Sequence, residues 1–234
     1  MSEPRRLDLD TWNRREHFAF YRGYDNPYFN ICAPVDVTRL LERCRSEGGP
    51  SFFLASLWAS MTAVNEIEEL RYRIRGDDVV VHEIVHGGST VLVPDGTFRF
   101  GYFDYNPDFE RFAGDASAVL ERVRARMGPL EARPERDDMI HHSIIPWVAF
   151  TSFSHARRWG TEDSVPKVVF GRHHREGDID RMPVSIEVHH ALVDGRHVGR
   201  FFERFQHHLE HLAAASSSTG DVRSPVGEER ECHG

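Results

Sequence analysis

A strand pattern from Pro183 to Val188 runs directly into His189-His190-Ala191-Leu192-Val193-Asp194-Gly195, and a helical pattern through Val198, Phe201, Phe202, Phe205, Leu209 and Leu212 follows it. A histidine at a strand end, with a turn, an aspartate and a glycine before a helix, is well placed for chemistry. The strand fixes the backbone, the turn exposes the ring, and the helix start offers free N–H groups. An unperturbed imidazole titrates near about 6.5, so a neutral ring can take a proton near pH 7 and return it. His190 is therefore the candidate general base. Asp194 either caps the following helix or pairs with an arginine elsewhere and so holds the turn. The plainer alternative is that the histidines end a strand and the aspartate caps a helix.

The stretch Ile186 to Val198 resembles the signature of chloramphenicol acetyltransferases, and its H-H-x-x-x-D-G core is similar to that of dihydrolipoyl acyltransferases and peptide-synthetase condensation domains. Trp12 to Arg22 and Ser143 to Phe153 also resemble the acetyltransferases. The three stretches stand in the family's order, and the likeness runs from Leu7 to about Leu212. The resemblance implies a general base at His190 that acts in a ternary complex with acetyl-CoA as co-substrate. It also implies an oxyanion-stabilising hydroxyl at Ser143 and an Arg14–Asp194 ion pair that fixes the turn.

By the same resemblance, Tyr21, Phe29, Phe98, Phe100, Leu130 and Val169 line the acceptor site. Phe100 stands where a small residue is expected, Leu130 where phenylalanine is, and Val169 where a threonine hydroxyl is. Phe100 should narrow the pocket and Val169 removes a polar contact, changes that bear on the acceptor more than on acetyl transfer. Trp147, Arg172 and His173 are implied to face coenzyme A. The family pattern also implies a homotrimer with active sites between neighbouring subunits. The reading is an acetyl-CoA-dependent O-acetyltransferase acting on chloramphenicol or a similar small hydroxylated molecule. The alternatives are a related acyltransferase with another acceptor or a longer acyl donor, and a ligand-sequestering homologue without turnover.

Composition sets the outer bounds. A chain of 234 residues is long enough for one large domain, and 40% hydrophobic with 28% charged residues is ordinary for a soluble globular protein. A net charge of −8 argues against a nucleic-acid surface. The longest largely apolar run, Phe52 to Val64, falls short of the about 20 residues that span a bilayer. Three widely spaced cysteines, Cys32, Cys44 and Cys232, and no secretory signal fit a cytoplasmic protein with reduced thiols. The 15 histidines include four adjacent pairs, but neighbours on a strand point to opposite faces, so no metal is expected; His207 and His211 have chelating spacing without companion ligands.

The elements that must position these residues read as a single α+β domain, a large mixed sheet flanked by helices, over residues 1–213, with 214–234 as a disordered tail. After a loose start over 1–6, helices are expected at 36–44, with Asp36 as N-cap, at 51–65, and from Asn106 as N-cap to Met127. Within the second of these, Phe53, Leu57, Met61 and Val64 form an apolar stripe facing the sheet. Strands are expected at 71–75 and 79–85, at 89–94 and 97–103 about the turn Asp95-Gly96, and at 147–153, 165–172 and 182–189. Pro129 to Asp138 reads as a loop.

Overall fold

The chain is wound on one seven-stranded mixed sheet with helices packed on one face, as a computed structural model shows. The structure describes residues 3–125, 130, 132–133, 136–157 and 163–214. In chain order the elements are β1 (Arg5–Arg6), α1 (Arg15–Tyr21), β2 (Tyr28–Asp36), α2 (Thr38–Arg45), α3 (Phe52–Asn65), a 3₁₀ turn (Glu68–Arg71), β3 (Tyr72–Arg75), β4 (Asp78–Val81), β5 (His86–Leu92) and β6 (Phe98–Phe103). Then come α4 (Phe109–Ala125), β7 (Met139–Ile145), β8 (Lys167–Gly171), β9 (His174–Glu176), β10 (Ile179–His189) and α5 (Gly195–Ala214). The large sheet runs β2-β10-β8-β7-β5-β6, and β9 pairs with the outer end of β10. β7 is parallel to both β5 and β8, while β10 is antiparallel to β2 and β8, which makes the sheet mixed.

The core lies between this sheet and α3, α4 and α5. α3 begins at Ser51, whose side chain accepts from Leu54 N. It is buried all round from Leu54 to Val64, beyond the single apolar stripe expected, because α4 and α5 pack against it in addition to the sheet. α5 buries Val198, Phe201, Phe205, Leu209 and Leu212 at helical spacing, and Phe205 stacks on Phe170 of β8 with centroids 5.7 Å apart.

Several local expectations are corrected. The loose start contains β1, which pairs with β4 and completes a small sheet in the order β1-β4-β3. Asp36 caps from one position further out than expected: its carboxylate accepts from Thr38 N and Thr38 Oγ1, and Val37 occupies the N-cap. Asp108 rather than Asn106 caps α4, since its carbonyl accepts from Phe112 N and its carboxylate from Arg111 N; Asn106 instead holds Asp108 N.

The largest correction concerns the strand expected at 147–153. The strand is β7, Met139–Ile145, and it turns at Pro146 and Trp147. Its start is fixed by Arg73, 1% exposed, whose guanidinium donates to the carbonyls of Asp137, Leu70, Tyr72 and Met139. Four carbonyl acceptors are what a buried guanidinium needs, and burial still pushes it down to about 10. No apolar periodicity marks that anchor. The expected tail lies almost wholly outside the described residues, as does Cys232; Cys32 and Cys44 are free thiols.

Candidate active site

β10 carries Val188 and His189 into the turn that holds His190. The turn is pinned from three directions. His190 N donates to Pro27 O at 2.7 Å, Arg14 Nη2 donates to His190 O at 3.1 Å, and Arg14 Nη1 is hydrogen-bonded to Asp194 Oδ2. The Arg14 side chain is 9% exposed and that of Asp194 36%, so the pair is sheltered on the arginine side. Asp194 also starts α5: its carbonyl accepts from His197 N and Val198 N, and its own N–H donates to His197 Nδ1 at 2.9 Å. The Asp194 carboxylate thus goes to Arg14, and it is the backbone carbonyl that opens the helix.

The His190 ring is fixed as tightly as its backbone. It stacks on Tyr21 with centroids 3.9 Å apart and planes 12° from parallel, and Phe29 packs on it at 4.6 Å. Nδ1 is shielded and lies 3.5 Å from Asp194 Oδ1, so the ring offers its other edge to solvent. The neighbouring His189 has another role. It is buried against Tyr28, accepts from Ala191 N through Nδ1, and burial holds its imidazole down to about 4. It is a neutral structural ring next to an accessible one.

Ser143 sits on β7 with Val169 of β8 as its register partner, and Val169 is fully buried. Two cavities meet at Ser143 and Thr90. One, of about 800 Å³, is lined by Phe98, Phe153, Pro146 and Trp147, with Arg124 and Glu121 among its lining residues. The other, of about 990 Å³, is lined by Phe100, His141, His155, Lys167 and Asp163. Phe98 and Phe100 share one face of β6 with centroids 5.7 Å apart, one ring lining each cavity. Trp147 is 62% exposed at the end of β7. Arg172 is exposed and donates its N–H to Val148 O beside Trp147, while His173 lies edge-on to Phe52 at 5.9 Å.

The expected site residues therefore fall into two groups. Arg14, Tyr21, Phe29, His190 and Asp194 form one corner, and Ser143, Val169, Phe98, Phe100 and Trp147 another. Leu130 is 51% exposed and lines neither cavity described above. Register gives the separation. Ser143 aligns with Val169 and Val169 with Ser185, five residues before His190 on β10. At about 3.3 Å per residue and about 4.8 Å per strand, the two Cα atoms stand on the order of 20 Å apart in one chain.

Sequence reasoning missed His141 and Thr90 as cavity residues. His141 would have been found by alternation had β7 been placed at 139–145, because it and Ser143 are two apart on one strand face; Thr90 lies on β5, opposite Phe100. Among the described residues no group of three or more His, Cys, Asp or Glu side chains could hold a metal ion. Nor is any helix long and apolar enough to cross a membrane.

A family model described as chloramphenicol acetyltransferase matches residues 3–206. Chloramphenicol acetyltransferase 3 of Escherichia coli is 31% identical over 204 residues, covering 86% of this chain and 94% of the relative. The chloramphenicol acetyltransferase of Streptomyces acrimycini is 34% identical over 206 residues, covering 87% and 93%. A solved structure of a chloramphenicol acetyltransferase superposes with a TM-score of 0.83 at 28% identity, over 88% of this chain and 100% of the other. The dihydrolipoamide acetyltransferase of Azotobacter vinelandii, at 15% identity and a TM-score of 0.62 over 86% of this chain and 87% of that one, shares the fold alone. Sheet, helical layer and pinned histidine turn thus define an enzyme of the acyltransferase type. The chain belongs to the chloramphenicol acetyltransferase family.

Proposed function

We propose that the protein transfers the acetyl group of acetyl-CoA to a hydroxyl of chloramphenicol. The observation that carries this reading is the seating of His190, a ring clamped between Tyr21 and Phe29 on a turn held by Arg14 and Asp194. A hydroxyl is a poor nucleophile, so the acceptor needs a base held at a fixed place. His190 takes the proton of the acceptor hydroxyl as its oxygen attacks the thioester carbonyl. The Ser143 hydroxyl donates to the oxyanion that forms, a contribution typically worth about 2.7–4 kcal/mol for one such donor. As the C–S bond breaks, His190 returns the proton to the departing thiolate, so the enzyme ends as it began. Asp194 and Arg14 keep the ring in place and carry no proton.

The cavity lined by Trp147, Phe98 and Phe153 suits the apolar arm of coenzyme A, with Arg124 a cation available for its phosphates. Arg172 and His173, beside Trp147, are assigned to the same ligand. The cavity lined by Phe100 takes the acceptor, with Tyr21, Phe29 and His190 of the neighbouring chain closing it, and Val169, buried on β8 at the register of Ser143, behind it. A base and an oxyanion donor on the order of 20 Å apart cannot act on one carbonyl. This distance supports an assembly in which His190 of one chain meets Ser143 of the next, and the family resemblance makes that assembly a homotrimer. Residues 1–213 are assigned as the catalytic unit, and the low cysteine count supports a cytoplasmic location. The test is thiol release from acetyl-CoA, which should require chloramphenicol and yield the acetyl ester. A folded protein that binds acetyl-CoA yet releases no thiol when chloramphenicol is added would overturn the assignment.

A further inference from the structure

β7 turns two polar side chains to the same cavity. Its two-residue period puts Met139, His141 and Ser143 on one face, while His142 faces α3, where its Nε2 meets Ser60 Oγ at 3.0 Å. Gly88 is the register partner of His141 on β5, and its lack of a side chain makes room for the ring. A Cβ there would stand 3.1 Å from His141 Nδ1 and 3.4 Å from Met139 Cε. His141 thus lines the cavity of about 990 Å³ that Ser143 and Phe100 also line.

The protonation state of His141 fits a neutral partner. Burial holds the imidazole down to about 4; Asp163 pulls the other way, while Lys167, Arg73 and His155 add to the depression. Near pH 7 the ring is uncharged, with one N–H to donate and one ring nitrogen to accept. Among the described residues the charged side chains beside it are paired, Lys167 with Asp163 and Arg75 with Asp137, and Arg136 further along the lining pairs with Asp138. Neighbouring same-face residues on a strand lie about 7 Å apart.

We propose that His141 is a specificity-determining residue, whose imidazole hydrogen-bonds an uncharged polar substituent lying about 7 Å from the hydroxyl that is acylated. The acceptor class is therefore a neutral molecule with two separated polar groups, one reacting and one recognised. This rests on the reading of Ser143 as the oxyanion donor.

The experiment compares steady-state kinetics of the full chain with His141→Phe, His141→Leu and His141→Asn. Two acceptors are used, chloramphenicol and the plain aryl alcohol 3-phenylpropan-1-ol. With chloramphenicol, the Phe and Leu variants should raise KM about tenfold, the worth of one buried neutral hydrogen bond. Their kcat should stay within about twofold and the KM for acetyl-CoA should be unchanged, as expected of a group that binds acceptor without touching the reacting atoms. The Asn variant, which restores a donor and an acceptor, should recover most of the loss, and 3-phenylpropan-1-ol should not distinguish wild type from any variant. Leu guards against Phe overfilling the site, and thermal melting confirms that each chain is folded. A chloramphenicol KM within twofold of wild type in folded Phe and Leu variants would overturn the inference while leaving the acetyltransferase reading intact. An equal rise in the acetyl-CoA KM would also overturn it. A wild type that turns over neither acceptor would remove both.

Discussion

The corner around His190 and the end of β7 around Ser143 are built in opposite ways. The first is closed, with the ring stacked on Tyr21 and the turn tied to Arg14 and Pro27. The second is open, a hydroxyl where two cavities meet beside an exposed Trp147. A base must be held at one angle to accept a proton, and rigid packing supplies that. A substrate path must stay unfilled, and that requires apolar and polar groups with no partner of their own. One chain keeps the two apart, so rigidity at the base does not obstruct access at the hydroxyl.

Breaking the closed corner should have the largest effect. His190→Ala removes the proposed base and is expected to lower kcat at least about 10³-fold with melting near that of wild type; turnover within tenfold would place the base elsewhere. Ser143→Ala should cost about 10²–10³-fold in kcat with little change in acceptor KM, the pattern of a contact made mainly in the transition state. A larger effect on KM than on kcat would make Ser143 a binding group instead.

The two variants together sharpen the comparison. If neighbouring chains supply His190 and Ser143, coexpressing His190→Ala with Ser143→Ala should rebuild intact sites. Random assembly would give about one quarter of wild-type activity from two nearly inactive chains. A mixture no more active than its components would place both groups of one site on a single chain. Asp194→Asn should cost about 1–3 kcal/mol by urea unfolding, because it leaves a nearly buried Arg14 with a weaker partner, and should lower kcat with it. Unchanged melting and unchanged rate would remove the ion pair from the account.

The last effect is on the pH dependence of stability, read as the change that one buried ring makes. Burial holds His141 and His189 down to about 4 and His142 to about 3, against about 6.5 in an unfolded chain. Between those limits the unfolded chain binds more protons, so stability rises with pH. It is fully present above about pH 6.5 and is lost as pH falls toward 4, on the order of 1–3 kcal/mol for each ring. Urea titrations at pH 7.0 and 5.0 should show the fall, and His142→Leu should make it shallower. An equal slope in the variant would mean that His142 is not held neutral by the fold.

Much of the closed corner was legible in the sequence. His190, Asp194 and the strand-to-helix change around them follow from period and spacing, and the resemblance of Trp12 to Arg22 supplied Arg14. The apolar faces of α3 and α5 were legible too, because burial imposes a 3.6-residue repeat on the residues themselves. The open end was harder to read. Met139 to Ile145 contains two histidines and a serine, so it lacks a strand's usual composition, and the apolar run after Pro146 drew the strand assignment to 147–153 instead. That misplacement hid His141, and the Asn106-Pro107 pair similarly concealed the cap at Asp108.

By itself the sequence nominated the chemistry: His190 and Asp194 stand out by residue type at a short spacing, which survives without a fold, and the resemblance added acetyl transfer, Ser143 and Arg14. Only the tertiary structure decided where β7 begins, through an Arg73 guanidinium that joins the carbonyls of its own neighbours Leu70 and Tyr72 to those of Asp137 and Met139. It also set the distance between His190 and Ser143, which is fixed by strand order. Neither can be written in local periodicity, since both depend on which distant backbone atoms the folded chain brings side by side.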